Sequence, residues 1–244
     1  MRLEKTMAGI LYGVGIGPGD PELLTLKAVR ILRECSVIGI PAENTDVCTA
    51  FGIASQAVPE IKEKRIISSV IPMTREQDKL EEAYQKICQK IESELKAGEN
   101  VAFLNLGDPT IYGTYMKIHK KIIEKGYMAE LVSGVPSFCA VAARLGVDIA
   151  TRDESIHILP ACYGMEEIEK YNGTKILMKS ARQFDEVTRK LEELEKEGIL
   201  EAFAVANCGM KEEIIYPNIQ SLRQQGEKGY FTTILVKEKG NCSL

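Results

Sequence analysis

The sequence predicts an α/β protein made of two modest domains, and three observations lead there. Its 244 residues suffice for one large core or two smaller ones, and 45% hydrophobic with 27% charged residues is the mixture of a globular chain. Through the first half, short β-branched runs alternate with longer stretches of helix-like apolar spacing, the arrangement of a largely parallel sheet with helical crossovers. The alternation pauses at Ser133-Gly134-Val135-Pro136 and then begins again. That pause places a junction near residue 133 and divides the chain into 1–133 and 134–244.

In order, the first domain should hold strands at 9–15, 35–40, 65–71, 101–106 and 127–132, separated by helices at 21–34, 46–58, 76–97 and 111–125. Asp20 before Pro21 is a start signal for the first helix. An Asp cap accepts an otherwise unpaired N–H, and proline at the first helical position needs no donor. The second domain should open with a helix at 137–145, then strands at 155–159 and 175–178, a charged amphipathic helix at 181–197, a strand at 203–206, an acidic turn at Glu212-Glu213 and a strand at 231–236. No repeat or Ser/Gly-rich linker interrupts the chain, so each domain should be a sheet flanked by helices, closely joined to the other.

Composition excludes several classes of function. A formal net charge of -4 provides no overall basic field for nucleic acid or an anionic membrane. Apolar runs stay far short of the roughly 20 residues that span a bilayer, and the opening MRLEKTMAG is too polar for a signal peptide. Seven cysteines, an odd number without a C-x-x-C pair, point to a reducing cytoplasm. With only His119 and His157, no metal site is expected.

Three glycine-bearing segments follow expected strands. In Gly13-Val14-Gly15-Ile16-Gly17-Pro18-Gly19-Asp20, alternate glycines permit close approach of a ligand to the backbone. The dinucleotide pattern G-x-G-x-x-G fails in both registers, its third glycine falling at Pro18 or Asp20, and Pro18 lacks the N–H of a phosphate cradle. No Walker A sequence is present. In Leu106-Gly107-Asp108-Pro109-Thr110-Ile111-Tyr112-Gly113, Asp108 is either a helix cap or a ligand contact, since ligands of open α/β sheets sit just beyond the carboxyl edge. In Ser133-Gly134-Val135-Pro136-Ser137-Phe138, Ser137 can cap the next helix or offer its hydroxyl to a ligand.

Conventional catalytic groups are missing. Ser137 lies in V-P-S-F rather than G-x-S-x-G, so hydrolase chemistry has little support. His119, on the helix face of Tyr112, Tyr115, Met116, Ile122 and Ile123, reads as a packed boundary histidine, and so does His157. Cys139 and Cys208 read as packing residues, and the run from Glu192 to Glu197 as a solvated helix face.

G-x-G-P-G-D, G-D-P and G-V-P-S-F, in that order, resemble the tetrapyrrole methyltransferase family. LYGVGIGPGDPELLTLKAVRIL, LGDPTIYGTYMKI and GVPSFCAVAARLG are most similar to its precorrin-2 or cobalt-factor II C-20 methyltransferases of cobalamin biosynthesis, a likeness running from about Ile10 to Val236. The resemblance implies a two-domain α/β enzyme using S-adenosylmethionine, a tetrapyrrole trough lined by the first domain, a cofactor bound between the domains, and a homodimer. It implies cofactor contacts at Pro18, Leu106, Gly107, Asp108, Ile111, Pro136, Ser137, Met178, Cys208 and Thr232, and substrate contacts at Gly17, Gly19, Asp20 and Tyr112.

Two departures from the family bear on function. Uroporphyrinogen III methyltransferases carry Arg-Gly where this chain has Tyr112-Gly113, which counts against that earlier step. Pro136 stands where relatives often have Ser or Thr, which implies a backbone contact there. Alternatives are another acceptor within the same fold, such as a different tetrapyrrole position or a diphthine-type substrate, and a non-catalytic tetrapyrrole carrier. Cations for the substrate's carboxylates are sought at Lys27, Arg30, Lys117, Lys120, Arg144 and Lys179.

Overall fold

The computed structural model describes residues 8–72, 74, 76–160, 170–178, 184–225 and 231–239. The chain divides into two compact units, Met1–Pro136 and Ser137–Leu244, each built on one five-stranded sheet. In the first unit, β1 (Leu11–Gly15), β2 (Val37–Ile40), β3 (Arg65–Ser68), β4 (Val101–Asn105) and β5 (Ala129–Val132) lie in the order β3-β2-β4-β1-β5, all parallel. Covered on both faces, β2 and β4 are buried at every residue and β1 at all but Tyr12. This is why they read as unbroken apolar runs rather than as alternation.

Helices α1 (Leu26–Glu34), α2 (Thr49–Ala57), α3 (Gln77–Lys96) and α4 (Tyr115–Glu124) complete the unit. α3 and α4 bury Ile87, Ile91, Tyr115 and Ile118 with Leu11 and Phe103 of the sheet. The Tyr115 ring lies 5.7 Å from that of Phe103, over Gly13, where a Cβ would fall 2.0 Å from a ring carbon. Gly13 is therefore required by an aromatic side chain of the protein itself.

Three expected helices begin later than the sequence suggests, α2 at Thr49 rather than at 46. Asp20 does cap, accepting the Glu22 N–H at 2.8 Å, but the element it starts is only a 3₁₀ turn, Pro21–Leu23. Thr25 then caps α1 through the Ala28 N–H, so the span 21–34 contains two starts. α4 begins at Tyr115 rather than Ile111, because Tyr112 has φ 48°, which no helix accommodates. At the far end of α1, Lys64 Nζ donates to the carbonyls of Leu32, Arg33 and Cys35 at 2.6 to 2.7 Å, a side-chain cap on a helix C-terminus.

The second unit is mixed rather than parallel. Its strands are β6 (Ile156–Pro160), β7 (Thr174–Met178), β8 (Leu200–Ala206), β9 (Ile214–Tyr216) and β10 (Thr232–Glu238), in the order β6-β7-β10-β8-β9. Only β6 and β7 pair in parallel. Helices α5 (Ser137–Leu145), α6 (Phe184–Lys196) and α7 (Ile219–Gln225) flank the sheet. Leu177, Ala204, Ile234 and Val236 face Val187 and Leu191 of α6 and Leu222 of α7 in its core. The start expected for α6 at 181 lies outside the described residues.

Neither β9 nor α7 is apparent from the sequence. β9 has three residues, two of them exposed isoleucines, and α7 has seven, started by Asn218, which accepts the Ser221 N–H. Glu192 and Glu195 also depart from the solvated face expected of them. Glu192 binds Lys196 and Arg223, while Glu195 accepts the N–H groups of Ala202 and Ile219 at 3.1 and 3.2 Å, joining α6 to β8 and α7. Two buried lysines on the sheet are paired, Lys175 with Glu238 and Lys237 with Asp148. No helix among the described residues is long and apolar enough to cross a membrane.

Between α3 and α4, Glu92 is held by Lys125 at 2.5 Å and by Lys96 at 2.7 Å. The hydrogen bond from Lys125, then that from Lys96, holds its carboxyl down at about 2. A depressed carboxylate stabilises the fold above its unfolded range and ceases to do so as pH falls through the folded value. The stability difference between the parent and Glu92→Gln, measured by urea unfolding, should be full at neutral pH and vanish as pH approaches 2.

Candidate functional site

β4, β1 and β5 are neighbours and parallel, so the three glycine loops leave the same edge of one sheet side by side. The backbone joins the first two. Ile16 N–H donates to Asn105 O at 2.8 Å, and Gly17 and Gly107 exchange N–H···O bonds at 3.3 and 2.8 Å as an isolated antiparallel bridge. Both glycines lie at positive φ, 75° and 70°, where a side chain would be strained. The third loop touches both others. A Cβ on Gly134 would sit 2.2 Å from Gly107 O, and one on Gly15 would sit 2.5 Å from Gly134 N. The close approach permitted by Gly13 and Gly15, expected for a ligand, is made by protein atoms.

Asp108 supplies the side-chain link. Its Oδ2 accepts the Gly134 N–H at 3.0 Å, and its Oδ1 accepts the Thr110 N–H at 2.8 Å and the Thr110 hydroxyl at 2.5 Å. The residue is buried, and these three bonds meet the need of a carboxylate out of water. Thr25, the α1 cap, donates to Ser133 O at 3.4 Å and ties the third loop to the first helix. Gly17, Pro18, Gly19 and Gly107 are buried, Leu106, Ile111, Pro136 and Asp20 partly so, and Tyr112 is 41% exposed at positive φ. All the site residues expected from the first unit thus gather at one sheet edge.

Those expected from the second unit also share an edge. Met178 ends β7 opposite Thr233, Thr232 begins β10 opposite Ala206, and Cys208 follows β8 by two residues. Ser137, the first residue of α5, lies with its Oγ 3.3 Å from the Thr233 hydroxyl. Thr233 is a polar contact that the sequence did not single out, because a threonine inside a strand carries no motif signal. The neighbouring Thr232 differs from it. It is 1% exposed and its Oγ1 has no hydrogen-bond partner among the described residues. A hydroxyl buried without a partner is costly, and one at a sheet edge among the expected cofactor contacts fits a polar ligand that completes its bonding.

The remaining candidates fall elsewhere. His119 packs against Tyr115, Nδ1 3.2 Å from the phenol, and burial lowers the pKa of the imidazole. Tyr112 and Ile123, placed on its helix face by spacing, are exposed. His157 stacks on Tyr171 at 4.5 Å. Cys208 is buried, whereas Cys139 is exposed on α5 and not the packing residue expected. Among the cations, Lys27 faces Glu130, Arg30 pairs with Glu34, Lys117 lies over the Tyr84 ring and Arg144 pairs with Glu213. Lys179 is outside the described residues.

Loops clustered beyond the carboxyl edge of an open parallel sheet define a small-ligand-binding α/β protein. The chain belongs to the tetrapyrrole (corrin/porphyrin) methylases, whose family pattern matches residues 10–222. It is 33% identical over 174 residues to a probable cobalt-precorrin-2 C(20)-methyltransferase of Methanocaldococcus jannaschii, covering 70% of this chain and 72% of that one. It is 27% identical over 238 residues to the cobalt-precorrin-2 C(20)-methyltransferase of Salmonella typhimurium, covering 96% and 98%. The fold matches that of a uroporphyrin-III C-methyltransferase from Thermus thermophilus complexed with S-adenyl homocysteine, with a TM-score of 0.65, 18% identity, and coverage of 94% and 97%.

Removing the Asp108 carboxylate strands the N–H groups of Gly134 and Thr110. Asp108→Ala should cost about 2–4 kcal/mol, and Asp108→Asn, which keeps one acceptor oxygen, about 1–2 kcal/mol. Chemical denaturation of the two variants beside the parent measures both values and their order.

Proposed function

We propose that this chain is an S-adenosylmethionine-dependent C-methyltransferase that methylates C-20 of a precorrin-2-type tetrapyrrole in cobalamin biosynthesis. The observation that carries the reading is the alignment with C(20)-methyltransferases, over 96% of this chain in one case. The three motif loops at neighbouring strand ends support it. When bound, the cofactor supplies an electrophilic methyl carbon on a sulfonium sulfur.

The chain's own part is positioning. In the first unit, Pro18, Leu106, Gly107, Ile111 and Pro136 are the proposed cofactor contacts, and Gly17, Gly19, Asp20 and Tyr112 the proposed contacts of the macrocycle; in the second unit, Ser137, Met178, Cys208 and Thr232 are proposed cofactor contacts. Asp108, whose oxygens are engaged by Gly134 and Thr110, acts by fixing the loops on either side of β1. Loops tied backbone to backbone hold bound groups at fixed separation, and near-attack geometry of that kind supplies several kcal/mol. The electron-rich tetrapyrrole carbon is itself the nucleophile and then releases its proton to water or a substrate carboxylate, so no Ser, Cys or Lys nucleophile is needed. The buried glycines and prolines of the loops keep water from the reacting centre. The reading carries a cytoplasmic homodimer. The buried free thiols of Cys35, Cys48 and Cys88 suit a reducing compartment, and the dimer rests on family likeness.

Purified protein should transfer labelled methyl from S-adenosylmethionine to precorrin-2, or to its cobalt complex, with the label at C-20. Label at another ring position, or none, overturns the reading. Thr232→Val removes a hydroxyl that has no partner among the described residues, so unfolding stability should be unchanged or slightly higher. Calorimetry with S-adenosylhomocysteine should nevertheless show binding weakened about tenfold, the contribution of one hydrogen bond.

A further inference from the structure

The geometry points to a carboxylate-binding subsite in the first unit, apart from the three motif loops. An open cavity of about 450 Å³ lies beyond the carboxyl ends of β2 and β3, walled by Glu43, Ser68, Ser69, Lys86, Gln89 and Lys90. It receives a peripheral carboxylate of the tetrapyrrole, and so rests on the substrate reading above.

Its place in the sheet supports this. β2 and β3 run parallel to β4, so the cavity opens at the same edge as the motif loops. At about 4.8 Å per strand, β3 lies about 10 Å along that edge from β4. A flat macrocycle with acidic side chains around its whole rim, laid against the loops after β4 and β1, extends toward β2 and β3. An acid arriving there needs a cation, and Lys86 and Lys90 are the two that line the cavity.

Lys86 and Lys90 stand four residues apart on α3, hence on one face. Lys90 gives one ammonium proton to Ser68 O at 2.8 Å and keeps two. Lys86 pairs with Glu82 at 2.6 Å, but both side chains are 65% exposed, and such surface pairs exchange at little cost. The hydroxyls of Ser68 and Ser69 and the amide of Gln89 add neutral donors. With two ammonium groups against Glu43, the lining carries a net charge of +1. One carboxylate neutralises it.

The test compares the parent, the Lys86→Gln/Lys90→Gln double variant and the Lys86→Arg/Lys90→Arg double variant as full chains. The probe is uroporphyrin, a stable oxidised macrocycle with eight carboxylates, followed by its fluorescence on binding. The Gln pair should raise the Kd about tenfold and flatten its salt dependence. It should also raise KM for precorrin-2 at unchanged kcat, and leave S-adenosylhomocysteine binding as in the parent. The Arg pair should restore affinity. Equal Kd and equal salt slope in the parent and the Gln pair would overturn the subsite alone, provided the parent transfers methyl. A parent that binds S-adenosylhomocysteine but neither binds uroporphyrin nor methylates precorrin-2 would overturn the substrate reading, and the subsite with it.

Discussion

A single carboxylate governs the geometry of the motif loops. Asp108 distributes its oxygens between the loop that carries it and the loop after β5, while the loop after β1 is joined through paired backbone groups of Gly17 and Gly107. The main chains around this junction already touch, at Gly15 and Gly134 and at Gly134 and Gly107. The link is also self-sufficient. Every donor around the carboxylate is an N–H or a hydroxyl of the protein, so the loops hold their places before any ligand arrives.

That rigidity suits a reaction in which the protein forms no covalent bond. The two units contribute in different ways. In the first, parallel strands deliver three loops to one edge. In the second, antiparallel pairing brings the end of one strand beside the start of the next, so Met178, Thr232 and the residues after β8 meet although they are far apart in sequence. The first unit therefore presents backbone surface at its edge, and the second presents hydroxyls, of which Thr233 is engaged with Ser137 while Thr232 has no partner among the described residues.

Much of this was legible in the sequence, for physical reasons. β1, β2 and β4 are buried on both faces and leave apolar runs that no loop shows, and the loop motifs carry glycines whose backbone angles few other residues adopt. What stayed hidden is tertiary. Gly13 resembles a ligand contact until the Tyr115 ring is placed over it. Glu195 resembles a solvated residue until Ala202 and Ile219 are found bonded to it. The split at Thr25 is invisible because both caps are good ones, and β9 is too short and too exposed for its period to register. Lys86 and Lys90 escaped notice for a related reason. They lie on α3, remote in sequence from every motif, and only the sheet order brings them to the same edge.

The contact of main chain with main chain at Gly15 and Gly134 also divides the molecule by its capacity to diverge. Those two positions admit a one-letter alphabet, and Gly107 is nearly as narrow because of its backbone angle. The outer turn, where Thr110 is exposed and Tyr112 stands 41% in solvent, is under no such restriction of space. Changes of acceptor preference among descendants of this scaffold would accumulate at the rim and leave the hub untouched. A mutagenic library seeking new macrocycles is best directed to the same few positions.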